Sequence, residues 1–150
     1  MIATLIAVLG TLAGALVAGL MQHLTASRTT RAAQSERRRQ ALAEAVPALL
    51  AALVGHREQQ YLKIKARREA LADTVEARQA RYAARSAVTS AMDTLHMATS
   101  DRRLLALAQE AVDAAMALGD VPAEELDAAG LRARQAHTAL RAAGATALYA

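Results

Sequence analysis

The chain has 150 residues, 54% of them hydrophobic but only 2% aromatic, with no cysteine, phenylalanine or tryptophan. That excludes disulfides, thiolate chemistry and cysteine-ligated metal sites, and it removes most of the large rings that anchor cores and binding pockets. The net charge of +4 is unevenly spread: Arg28 to Arg85 carries 13 basic and 6 acidic residues, a balance of +7, and Ser86 to Ala150 carries 5 and 8, a balance of −3.

The opening stretch, Met1 to Leu24, holds no Asp, Glu, Lys or Arg, and the first charged side chain is Arg28. About 20 consecutive apolar residues suffice for a helix to cross roughly 30 Å of hydrocarbon. Thr4 and Thr11 can bond back to their own helix, so nothing in the run is costly in lipid. Residues 1–24 are therefore expected to form a transmembrane helix. A cleaved signal peptide could use Ala13-Gly14-Ala15, but no basic residue precedes the apolar run and the run continues past that site. A helix buried on all sides by protein would need a larger core than the remaining chain supplies.

Within the span, Gly10, Gly14 and Ala18 share one face at four-residue spacing, the arrangement that lets two membrane helices approach closely and self-associate. Arg28, Arg31, Arg37, Arg38 and Arg39 follow it, offset by Glu36 alone. The positive-inside tendency then places the N-terminus outside and the body in the cytoplasm, with the arginines beside lipid headgroups or other phosphates. Residues 25–41 are expected to continue as a basic juxtamembrane stalk.

From residue 42 onward the pattern is helical, with no alternating strand signal. Leu42, Val46, Leu49 and Leu53 recur in steps of four and three, with Pro47 inside the stripe either bending the helix or starting a new one. The stripe weakens through Tyr61, Ile64 and Leu71, interrupted by His56, Arg57, Gln59 and Gln60. Asp73 with Glu76 has the form of a capping box and predicts a break there. A second helix runs from Thr74 to about Met97 on Val75, Tyr82, Val88, Met92 and Leu95.

Thr99-Ser100-Asp101 caps a third helix whose face includes Leu104, Leu105, Ala108, Ala111, Val112, Ala115 and Met116. Gly119-Asp120-Val121-Pro122 ends it, and a fourth, Ala-rich helix follows, interrupted at Gly130 and fading near Gly144. The expected fold is all-α: one transmembrane helix, a stalk, then an antiparallel three- or four-helix bundle over residues 42–150.

No motif of catalysis or cofactor binding appears: no phosphate-cradling loop, no His-Glu-x-x-His, no nucleophile elbow. The four histidines fall one per segment without an acidic neighbour at ligand spacing, so neither catalytic nor metal-ligating residues are expected. Lys63, Lys65, Arg67 and Arg68 form a second basic cluster, readable as a solvated face with Glu58, Glu69 and Glu76 near, or as a contact for nucleic-acid phosphates. Sequence-specific binding and single-strand base stacking are not expected, because no recognition motif is visible and the only aromatics are Tyr61, Tyr82 and Tyr149.

The opening Ile2-Ala-Thr-Leu-Ile-Ala-Val-Leu-Gly-Thr-Leu-Ala-Gly, the run Glu36-Arg-Arg-Arg-Gln-Ala-Leu, the stretch Ala84-Arg-Ser-Ala-Val with the following Met92 to Leu95 segment, and Ser100-Asp101 together resemble the small Streptomyces plasmid proteins of the KilB or plasmid-spread group. The resemblance implies a role in plasmid maintenance or in spreading plasmid DNA between hyphal compartments, and it carries over no active-site residue. The expectation is a non-enzymatic, membrane-anchored helical scaffold, oligomeric, without cofactor, whose partners are lipid, further copies of itself and a protein assembly, with non-specific DNA contact as a lesser option. A stator-like coiled-coil rod and a membrane-perturbing lethal protein are the rival readings.

Overall fold

The computed structural model describes the backbone of residues 2–149 and the side chains of residues 30–149. The chain is all-helical: α1 (Ile2–Arg68), α2 (Val75–Ala98), α3 (Arg102–Ala117), a single 3₁₀ turn (Ala123–Glu125) and α4 (Leu126–Tyr149). It divides into two compact units, Met1–Arg38 and Arg39–Ala150. Among the described residues no helix is long and apolar enough to cross a membrane. The expected span over residues 1–24 lies outside the residues whose side chains are described.

The second unit is a four-helix bundle. Its core is built from Leu49 and Leu53 of α1, Val88 and Leu95 of α2, Leu104 of α3 and Leu140 of α4, all essentially without solvent contact. Alanines let α3 and α4 pack closely: Ala108, Ala111 and Ala115 are buried on one helix, Ala129, Ala133 and Ala136 on the other. A smaller cluster of Leu118, Leu126, Ala129 and Ala133 closes one end, with Ile64 and Val121 packed on it.

The helix ends follow local chemistry. Asp101 caps α3, its Oδ1 accepting from the backbone N–H of Arg103 at 2.9 Å and of Leu104 at 3.2 Å. At the start of α2 the cap is Thr74, not Asp73: Thr74 Oγ1 accepts from Ala77 N at 3.2 Å. Asp73 is drawn elsewhere, its two carboxylate oxygens receiving Arg81 Nη2 at 2.6 and 2.8 Å and its carbonyl receiving Arg78 Nη1 at 2.8 Å.

Helix α1 ends earlier than the sequence suggests, in a 6→1 and 5→2 pair of bonds from Leu71 N to Ala66 O and from Ala70 N to Arg67 O, with Ala70 left-handed at φ 52°.

Several expectations are corrected. No helix begins at Pro47, because α1 passes through it without a break. Val75 and Tyr82 are exposed rather than on the inner face of α2, since the bundle grips that helix only from Val88 onward. Nor do Gly130 and Gly144 interrupt α4, which runs through both. Each is buried at a close approach: a Cβ at 130 would stand 3.0 Å from the Tyr61 hydroxyl, and one at 144 would stand 2.5 Å from Val46 Cγ1. Packing outweighs the modest helix cost of glycine.

Candidate functional site

The sequence-selected residues scatter. Gly10, Gly14, Ala18 and Arg28 lie outside the described side chains. Arg31, Arg37, Arg38 and Arg39 are all exposed. The cluster of Lys63, Lys65, Arg67 and Arg68 is contiguous in sequence, but at about 100° per residue a helix distributes it around its circumference. Lys63 is half-buried and donates to the Gly119 carbonyl at 3.2 Å. Lys65 lies 3.9 Å from Glu69 in an exposed pair. It borders one depression with Lys63 and Arg67 and a second with Arg68, so the four face two hollows rather than forming one patch.

A different set of residues does converge. Between α1, α2 and the end of α3 lies a cavity of about 610 Å³, lined by the bases Lys63, Arg78, Arg81 and Arg85 and by the acids Asp73, Asp113 and Asp120, with Tyr82, His56 and Gln60. Arg78, Arg81 and Arg85 recur at steps of three and four, which places them on one face of α2. The sequence signal was present in that spacing, but it was masked because the three are not adjacent.

His56 and Gln60 continue the buried face of α1 beyond Leu53 and are 2% and 8% exposed. Gln60 Nε2 lies 3.4 Å from His56 Nε2, which makes the amide the donor and leaves the imidazole proton on Nδ1 when the ring is neutral. Among the described residues His56 Nδ1 and Gln60 Oε1 have no partner. A buried polar atom left unpaired costs about 1–3 kcal/mol, so two side by side in a core position are a liability to folding that a bound group would relieve. Burial, and then the Arg85 charge, push the His56 pKa below its ordinary value. The Arg81 hydrogen bond holds the Asp73 carboxyl below its ordinary range.

A second depression, about 920 Å³, runs along α1 and α4 past Val54, Tyr61, Leu62, Leu126 and Gly130, edged by charges of both signs. Among the described residues no three His, Cys, Asp or Glu side chains come together as a metal site.

These features define a helical-bundle protein whose main polar feature is a mixed-charge cavity. The chain belongs to the KilB plasmid transfer protein family, whose model matches residues 43–148, all of the bundle core but Leu42. It is 44% identical over 97 residues to Protein KilB of Streptomyces lividans, a match covering 63% of this chain. The matched stretch likewise spans only 63% of that relative's length. No solved structure matches. The family match rests on the helical body, which holds the Ala84 to Val88, Met92 to Leu95 and Ser100-Asp101 stretches of the resemblance.

Proposed function

We propose that this chain is a membrane-tethered helical binding module of a plasmid transfer apparatus, serving as a scaffold rather than as an enzyme. Membership in the plasmid transfer family over residues 43–148 is the observation that carries the process. The tether rests on the uncharged stretch Met1 to Leu24 followed by five arginines, which suit the headgroups of a cytoplasmic leaflet. Self-association through Gly10, Gly14 and Ala18 would hold several copies side by side.

Three measurements test this. Membrane fractionation should recover the protein only with detergent, and recovery in aqueous buffer would remove the tether. A plasmid lacking the gene should still replicate but spread poorly through a recipient mycelium, and unimpaired spread would remove the process. Crosslinking in membranes with Gly10→Leu and Gly14→Leu should lower the dimer yield; an unchanged yield would dismiss that face as the contact.

A further inference from the structure

The cavity between α1, α2 and α3 assembles opposite charges, only some of which are paired with one another. Lys63 and Arg85 come from α1 and α2, Asp113 and Asp120 from α3 and the turn after it. The ion pairs among the described residues are Lys65 with Glu69 and Asp73 with Arg78 and Arg81, so none joins Lys63 or Arg85 to Asp113 or Asp120. Arg78 and Arg81 are already engaged by Asp73. Asp113 accepts one bond from Gln109 at 2.8 Å, and Lys63 gives one to the Gly119 carbonyl at 3.2 Å, which leaves both with capacity to spare. Lys63, Arg85, Asp113 and Asp120 thus line one space of about 610 Å³ without pairing among themselves, and that volume is enough for a small molecule. Part of its wall is the buried His56–Gln60 pair, with one unpartnered polar atom on each side chain.

We propose that this cavity binds a small zwitterionic solute of amino-acid to short-peptide size, its carboxylate on Arg85 and Lys63 and its ammonium on Asp113 and Asp120. Charge-assisted hydrogen bonds form at both ends of such a ligand. A polyanion is repelled by the two aspartates and a polyamine by Arg85 and Lys63, so the paired walls select against ligands of a single sign. The site lies wholly within Arg39–Ala150 and does not depend on how, or whether, the chain is tethered.

The test is thermal unfolding of the full chain in detergent micelles with each common amino acid and with triglycine. Acetate and methylammonium together supply the same charges unlinked. At least one zwitterion raises Tm in a concentration-dependent way, as a ligand of the folded state must, while the unlinked pair does not. Arg85→Gln and Asp113→Asn, both at exposed positions, each weaken the apparent affinity by about tenfold or more, the loss of one charged contact. Arg67→Gln, outside the cavity, leaves it unchanged, and circular dichroism confirms that all three variants fold. A flat response to every zwitterion overturns the proposal. So does an equal response to acetate, or an affinity that falls with Arg85→Gln but not with Asp113→Asn.

Discussion

Gly144 on α4 lies against Val46 on α1 so closely that a Cβ at position 144 would stand 2.5 Å from Val46 Cγ1. Val46 is itself 3% exposed and has no room to swing outward. Gly144→Ala should therefore destabilise the bundle by about 1–3 kcal/mol, the usual cost of overpacking. Gly55 has nothing within 4 Å of its would-be Cβ and sits inside α1. Gly55→Ala should accordingly stabilise by about 0.5–1 kcal/mol through helix propensity alone. Urea midpoints of the two variants should move in opposite directions; a common direction would contradict the close seam between α1 and α4.

Ala70 occupies the left-handed position that ends α1, at φ 52°, with the flanking bonds of a glycine-type cap in place around it. An L-residue there costs roughly 1–2 kcal/mol relative to glycine, partly offset by glycine's greater freedom in the unfolded chain. Ala70→Gly should leave a net gain of about 0.5–1 kcal/mol. A loss of stability on denaturant titration would mean that the chain does not turn at residue 70 in this way.

What the sequence disclosed and what it hid divide along physical lines. Val88, Met92 and Leu95 were legible because apolar side chains at helical spacing have one economical place to go. His56 and Gln60 look by polarity like interruptions of the stripe, but their spacing continues its period, and spacing decides the burial. Gly130 and Gly144 look like helix breakers in a composition and turn out to be contact points, which only the opposing Tyr61 and Val46 explain. The mixed-charge cavity was invisible for a related reason. Lys63, Arg85 and Asp113 belong to three different helices, and no linear pattern records that they face one space.

The buried imidazole makes stability depend on pH. The folded-state pKa of His56 lies below the ordinary 6.5, with burial the larger cause and the Arg85 charge the smaller. The unfolded chain thus takes up a proton at a higher pH than the folded one. Its contribution is complete above 6.5, is lost progressively as the pH falls from there toward the lowered folded value, and changes no further below it. His137 shifts in the same direction, through burial and then Arg57 and Arg141, and adds to the slope. Unfolding free energy should fall on acidification through this window, and the slope should be shallower in His56→Gln whatever that variant's absolute stability. Equal slopes in variant and parent would show that His56 titrates alike in both states.

Pro47 offers the sharpest test of how the core treats α1. A proline inside a helix removes the bond to the carbonyl four residues earlier, here Ala43, and costs about 3 kcal/mol relative to alanine. Its own side chain is exposed, so replacing it opens no hole. Leu42, Ala45 and Val46 before it and Leu49 and Leu53 after it are all buried in one cluster, so the packed face is continuous across the proline. Restoring the missing bond should therefore add stability without displacing that face, and Pro47→Ala should raise the unfolding free energy by an amount approaching 3 kcal/mol. A decrease on denaturant titration would instead mean that a bend at residue 47 is what seats Val46 against Gly144, and that the core needs the defect it carries.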